Sequence, residues 1–330
     1  MFVVCLLAAA LLTAFGYQAF GDYLDARRFP PPGRLITVGA GLLHLHEQGD
    51  KGPVVVMESG LAASSLSWTL VQPKLAEFTR ACSYDRAGFG WSSGLDRPKT
   101  LQDTVADLHG ALEAAGLPAP YILIGHSFGG LLVRAFAHYY PGQIAGLVLV
   151  DPVSIAYWAN CTAAERKRLA LGAKLSRRGG WLAHIGVVRG ALGLLLLGGR
   201  QLPRLIARVS APQAGGLMTH LAGEVQKLPP FTWPMIRAHW SRPKAFAAMA
   251  ATLEALPSSA CEAAAMPIAT EIPVVILSAA SATPDELAER DGWAASNSHG
   301  KHIRTEGTGH WLQLERPDLI VDSVKSFLQE

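Results

Sequence analysis

Two groups of residues in this 330-residue chain have the types and spacing for nucleophilic chemistry. The first is the run Ile122-Leu123-Ile124-Gly125-His126-Ser127-Phe128-Gly129-Gly130. A serine hydroxyl is a poor nucleophile until a base takes its proton and the backbone presents it clear of its neighbours. Glycines two before and two after Ser127 allow the sharp strand-to-helix turn that does the second job. The other group is Gly307-Thr308-Gly309-His310-Trp311, which puts His310, a base suited to neutral pH, on a glycine-spaced loop. Attack on an acyl carbon also needs N–H donors for the developing oxyanion. The N–H of Phe128, at the start of a helix, is one candidate; Leu61, in Glu58-Ser59-Gly60-Leu61-Ala62 after a predicted strand, is the second.

Other residues of catalytic type read as structural. His44 and His46 lie two apart on one strand face with no acidic or thiol partner nearby in sequence, so no metal is expected there. Asp85 and Arg86 open a glycine-spaced loop, Asp85 to Ser92, and are expected to hold it by pairing with each other or with backbone groups. No organic cofactor is implied.

The elements that must position these groups alternate between strand and helix. A hairpin is expected at Gly39-Ala40-Gly41, joining strands around Leu35 to Val38 and Leu43 to Leu45. Pro53 to Met57 is a third strand, and Ser65 to Ala76 a helix burying Trp68, Val71 and Leu75. Ala81 to Tyr84 is a strand, and Thr100 to Ala115 a helix with the stripe Leu101, Val105, Leu108 and Leu112, a capping pair Thr100 and Asp103, and Gly116 as its stop. Ile122 to Ile124 is a buried strand, followed by a helix carrying Leu131, Leu132, Ala135, Phe136 and Tyr139. Ala145 to Val150 is a sixth apolar run, ending in Asp151. Pro273 to Leu277 and Ile303 to Glu306 resume the sheet, and Pro317 to Leu328 is a last helix with Ile320, Val321, Val324 and Leu328 inward. This alternation marks a parallel α/β sheet.

The ends and the composition bound the rest. Phe2 to Phe20 carries no charge and is about long enough to cross a bilayer core. It is expected to be a membrane segment: a signal anchor, because no Lys or Arg precedes it and Ala19-Phe20-Gly21 is an unconvincing cleavage site, or else a cleaved signal. Arg27, Arg28 and Arg34 follow it but leave the orientation open. Pro30-Pro31-Pro32-Gly33 reads as a stiff linker that makes the segment separable. A net charge of +3 without a basic, aromatic-interleaved run gives no case for nucleic acid. Of Cys5, Cys82, Cys161 and Cys261, only the last two could pair.

The motifs S-G-L at 59–61, Y-D-R-A-G-F-G-W-S at 84–92, G-H-S-F-G-G at 125–130, L-V-L-V-D-P at 147–152 and G-T-G-H-W-L-Q-L-E-R-P-D at 307–318 together resemble the α/β-hydrolase fold family. The resemblance implies an α/β fold with a mostly parallel central sheet flanked by helices. It implies a serine hydrolase acting on an ester, thioester, amide or similar bond of a small or apolar substrate. Residues 1–21 would be the membrane segment, 22–33 the linker, 34–153 and 268–330 the two parts of the core, and 154–267 a helical lid after the sixth strand. That lid has helical stretches at Ala163 to Leu175 and Ala245 to Leu256, breaks at Pro203, Pro212, Pro229-Pro230 and Pro243, and an apolar run Ala191 to Leu197 suited to touching a membrane surface. Its aromatics Trp158, Trp181, Phe231, Trp233 and Trp240 would line an apolar site or pack within the lid.

In the resembled family the carboxylate that orients the histidine most often follows the seventh strand, where this chain has Ala282 and, three residues later, Asp285 at the start of a helix capped by Thr283. Asp151, at the end of the sixth strand, is the favoured acid, as in some members of the fold, with Asp285 as its alternative. Serine at the turn disfavours the dehalogenase and epoxide-hydrolase branches, which need a carboxylate nucleophile. Acyl transfer with the same residues, and a catalytically silent binding protein, are the alternatives to hydrolysis.

Overall fold

The structure is a computed structural model that describes residues 1–95, 97–198 and 227–329. Its strands are β1 (Arg34–Val38), β2 (Gly41–Gln48), β3 (Val54–Glu58), β4 (Arg80–Asp85), β5 (Tyr121–His126), β6 (Ile144–Val150), β7 (Val274–Ser278) and β8 (Gly300–Arg304). They form one sheet in the order β1-β2-β4-β3-β5-β6-β7-β8. β2 runs antiparallel to both its neighbours, and every pairing from β4 to β8 is parallel.

Helices cover both faces, which is why β3, β5 and β7 are buried throughout and read as unbroken apolar runs. Ile122 and Ile124 of β5 face a cluster with Met57, Trp68 and Leu277. Leu123 points the other way, into the larger cluster with Leu131, Phe136 and Leu112. The helices are α1 (Phe2–Arg28), α2 (Gln72–Leu75), α3 (Leu101–Ala114), α4 (Phe128–Tyr139), α5 (Ile155–Ala159), α6 (Ala163–His184), α7 (Val187–Gly198), α8 (Trp233–Trp240), α9 (Pro243–Ala264), α10 (Pro284–Ala295), α11 (Leu312–Glu315) and α12 (Pro317–Ser326). The capping box of Thr100 and Asp103 starts α3, and Leu101, Val105, Leu108 and Leu112 form its buried stripe. Helices α5 to α9 lie between β6 and β7.

Several expectations are corrected. The stretch 65–76 is not one helix: Ser65–Trp68 is a 3-10 turn and α2 begins afresh at Gln72, because Pro73 can neither donate nor tolerate a preceding helical turn. Trp68, Val71 and Leu75 are nevertheless all buried. The last strand lies earlier than Ile303 to Glu306, because Gly300 to Arg304 pair in register with Val274 to Ser278. Helix α9 continues past Leu256 through Pro257 to Ala264, and Leu328 is exposed beyond the end of α12. Cys161 and Cys261 are both free, the first buried and the second exposed. Pro203, Pro212 and the side chains of 195–197 lie outside the described residues.

The largest departure is at the N-terminus. Helix α1 runs unbroken to Arg28, past the expected boundary at 21. Among the described residues it is the one helix long and apolar enough to cross a membrane, and its first fifteen or so residues are exposed apart from a half-buried Ala14. Its last turns are not a linker. Arg189 of α7 donates to Gln18 Oε1 (3.1 Å) and Asp22 Oδ1 (2.6 Å) and forms a short ion pair with Asp25. Arg237 of α8 reaches Asp25 at 3.3 Å, and Gln18 donates to the Ser241 carbonyl at 3.0 Å. The end of α1 is thereby fastened to the helices between β6 and β7.

Candidate active site

Ser127 stands between β5 and α4 with φ 54° and ψ −119°, a backbone region that costs roughly 1–3 kcal/mol for a residue with a side chain. The surroundings hold it there. Its N–H donates to the Val150 carbonyl (3.0 Å), and its own carbonyl accepts from Gly130 (2.9 Å) and Val153 (3.3 Å). The flanking glycines are required by close approach: a Cβ on Gly125 would lie 2.5 Å from the Gly129 oxygen, and one on Gly129 2.5 Å from the Glu58 oxygen. The Ser127 hydroxyl has no hydrogen-bond partner among the described residues, as is common before substrate is bound.

His310 lies on the loop between β8 and α11. Its Nδ1–H donates to Asp151 Oδ2 at 2.6 Å, which leaves Nε2 as the free basic nitrogen. Asp151 follows β6 with φ 41°, and its N–H is tied to the Leu277 carbonyl at 2.7 Å. Its second oxygen accepts from the Ala279 N–H (3.0 Å) and from Arg290 of α10 (2.8 Å). Burial alone would raise this carboxyl, but the His310 hydrogen bond, the Arg290 charge and the Ala279 N–H outweigh it and hold it below its ordinary value. Asp285 is exposed in the first turn of α10, and no contact ties it to His310; Thr283 and Glu286 form the capping box beside it.

Gly60 passes close to the serine: a Cβ on it would lie 3.3 Å from Ser127 Cβ. The N–H groups of Leu61 and Phe128 find no protein acceptor among the described residues. This loop is held by the expected bonds of Arg86 to backbone groups and by a partner that the sequence did not show, Glu58. Arg86 donates to the Gly60 carbonyl (2.6 Å) and the Ser59 carbonyl and pairs with buried Glu58, which also accepts from Tyr84. Asp85 does not pair with Arg86 but takes the backbone N–H groups of Ser65 and Trp91, as expected, and in addition His44 Nδ1–H at 2.9 Å. His46 approaches His44, and no metal-ligating cluster occurs among the described residues.

Three more residues enter the site without a sequence signal. His126 Nε2–H donates to the His310 carbonyl at 2.9 Å, and Gln313 donates to its Nδ1 at 3.3 Å, which fixes the tautomer. Burial, and then the nearby His310, push His126 down to about 3, so it stays neutral. Arg290 also donates to Ser278 Oγ (2.8 Å) and the Pro152 carbonyl (2.6 Å). Asp291 can only accept, so His302 Nδ1–H donates to it (2.7 Å), and Nε2 of the neutral ring then accepts from the Ser278 hydroxyl (2.7 Å). A small cavity of about 50 Å³ lies between Ala62, Ala63, Trp240, Ile236 and Trp311, next in sequence to His310. Of the five aromatics expected to line a site, Trp240 borders it, whereas Trp181 and Phe231 are exposed, Trp158 packs on the core and Trp233 donates to the Leu228 carbonyl.

A family model described as the alpha/beta hydrolase fold matches residues 53–179, a span that holds Leu61, Ser127, Phe128 and Asp151 but not His310. The chain is 32% identical over 107 residues to the uncharacterized protein YqjL of Bacillus subtilis, covering 32% of this chain and 42% of that one. Over 131 residues it is 34% identical to the 2-hydroxy-6-oxo-2,4-heptadienoate hydrolase of Pseudomonas putida, covering 38% and 46%. It thus spans less than half the length of these curated relatives. The enol-lactonase from Burkholderia xenovorans LB400 superimposes with a TM-score of 0.60 at 19% identity, covering 90% of this chain and all of that one, a likeness of fold alone. Strand order and matches together define a protein of the α/β-hydrolase fold.

Proposed function

We propose that this protein is a membrane-anchored serine hydrolase that cleaves an ester-type bond through an acyl-enzyme. Ser127 Oγ attacks the acyl carbon while His310 Nε2 takes its proton. The oxyanion accepts hydrogen bonds from the N–H groups of Phe128 and Leu61. The tetrahedral intermediate collapses, His310 gives the proton to the departing alkoxide, and water repeats the sequence to release the acid. Asp151 holds the Nδ1–H tautomer and stabilises the imidazolium. The observation that carries this reading is the 2.6 Å contact of His310 with Asp151, which directly follows the strand next to the one that Ser127 follows. The substrate is a small or apolar ester, and α1 is the anchor.

A fluorophosphonate probe tests it. Wild type is expected to be labelled at Ser127, and Ser127→Ala to lose both labelling and hydrolysis while keeping its melting temperature. Hydrolysis above about a tenth of wild type in that variant would refute the assignment, since losing the nucleophile costs several orders of magnitude. A folded but unlabelled wild type would favour a binding protein instead.

A further inference from the structure

The exposed face of α6 combines two features rarely found together on a soluble surface. From Lys167 the positions i+4, i+7, i+8, i+11, i+14 and i+15 are Leu171, Lys174, Leu175, Arg178, Trp181 and Leu182, one continuous stripe of the helix. The apolar members are bare: Leu171 is 56% exposed, Leu175 49%, Trp181 75% and Leu182 46%. The cations Lys167, Lys174 and Arg178 have no acidic partner at ion-pair distance among the described residues. The opposite face, with Ala173, Gly180 and Ala183, is buried against the protein, so among the described residues the stripe faces outward.

Its height relative to α1 is also fixed. A Cβ on Gly186, in the turn between α6 and α7, would lie 2.5 Å from Tyr17 Cδ1 and 3.7 Å from the Ala14 carbonyl. The uncharged run of α1 ends at Phe20, with Asp22 the first charge. At 1.5 Å per residue that run is about 28 Å long, close to the hydrocarbon thickness of a bilayer. The turn at Gly186 therefore meets α1 within about a turn of where the hydrocarbon would end, and Trp181 and Leu182 lie one turn back along α6. Tryptophan with apolar side chains and lysine or arginine is what the headgroup layer favours.

Resting on the membrane anchoring proposed above, we infer that the α6 stripe lies on the headgroup layer of the bilayer that α1 enters, with Lys167, Lys174 and Arg178 facing anionic lipid. The Arg189 ion pairs with Asp22 and Asp25 set the angle at which the stripe meets the surface.

The full chain is reconstituted in phosphatidylcholine vesicles with and without phosphatidylglycerol, made with ordinary or brominated acyl chains. The emission of Trp181, isolated as wild type minus Trp181→Phe, is expected to be quenched by brominated lipid. Quenching is expected to be strongest with phosphatidylglycerol and to be relieved in the combined variant Lys167→Glu, Lys174→Glu, Arg178→Glu. Each cation near an anionic leaflet is worth roughly fivefold, so losing three lowers the docked-to-free ratio about a hundredfold, and the repulsion of the three introduced carboxylates lowers it further. An alkaline carbonate wash separates the two readings. Chain retained in the vesicles with unquenched Trp181 overturns the docking and spares the anchor, and the same result with α6 cross-linked to a second copy assigns the stripe to self-association. Chain washed off the vesicles overturns the anchor and the docking that depends on it.

Discussion

At the scale of single residues, the site turns on which carboxylate serves His310. Asp151→Asn keeps the shape but removes the charge that would stabilise a protonated His310, and is expected to lower kcat by roughly 10³ to 10⁴ with little change in KM. Asp285→Asn, at an exposed helix start, is expected to cost less than about tenfold through its weak interaction with the helix dipole. Steady-state kinetics on one ester decides; the reverse ordering would return the acid to the loop after β7. Asp151 could be picked out in the sequence because a charged residue directly after an apolar parallel strand must stand at the sheet's working edge. Its partner Arg290 could not. It lies 139 residues away on an α10 face that reads as ordinary solvated helix, and only the fold brings it to a carboxylate. The same holds for Arg86 and Glu58: adjacency suggested that Arg86 would pair with Asp85, but successive residues on a strand point to opposite sides, so each finds a partner on its own side.

Between elements, the strand that presents Ser127 is joined directly to the loop that presents His310. His126, the residue before the serine, donates to the His310 backbone, so Ser127 and His310 are referred to one rigid strand. This link has a pH signature. His126 is held neutral down to about 3, whereas in the unfolded chain it titrates near its ordinary value of about 6.5. Between those values the unfolded state binds the extra proton. The contribution of His126 is therefore fully present above about pH 6.5 and is lost progressively toward pH 3. Urea unfolding across that range is expected to show a shallower acid-side loss for His126→Phe than for wild type, with the remaining slope including His239, which burial pushes down to about 4. Equal slopes would mean that His126 is solvated in the folded state. Element types and order were legible because hydrophobic period and caps agree, as with Thr100 and Asp103 on α3. The boundaries that failed, at Pro73 and Pro257, failed in opposite directions: the same residue interrupts the helix expected over 65–76 but is tolerated in α9, where tertiary packing holds the helix through it.

Across the whole molecule, the N-terminal helix is the part that sequence reading divides wrongly. Its apolar run gives the length, but Gln18 reads as part of the membrane segment and Asp22 and Asp25 as part of a linker, because the arginines that pair with them lie far along the chain. The separable portion is accordingly shorter than residues 1–21. Removing residues 2–16 is expected to leave the unfolding free energy nearly unchanged, since nearly all of that stretch is exposed. Removing 2–28 takes away both the carboxylates that pair with Arg189 and the helix that covers it, and is expected to lower the unfolding free energy below that of the 2–16 truncation in urea unfolding. If both truncations behave alike, the ion pairs with Arg189 add nothing to stability. These same contacts also bear on the order in which the chain is made. Gln18 leaves the ribosome first, and the Ser241 carbonyl that it binds follows 223 residues later. At about 5–20 residues per second, roughly 10–45 s separate the two. Arg189, which binds Gln18, Asp22 and Asp25, emerges earlier within that interval, and the Ser241 carbonyl completes the set. The last turns of α1 are thus made long before the helices that fasten them and are seated only after those helices have emerged.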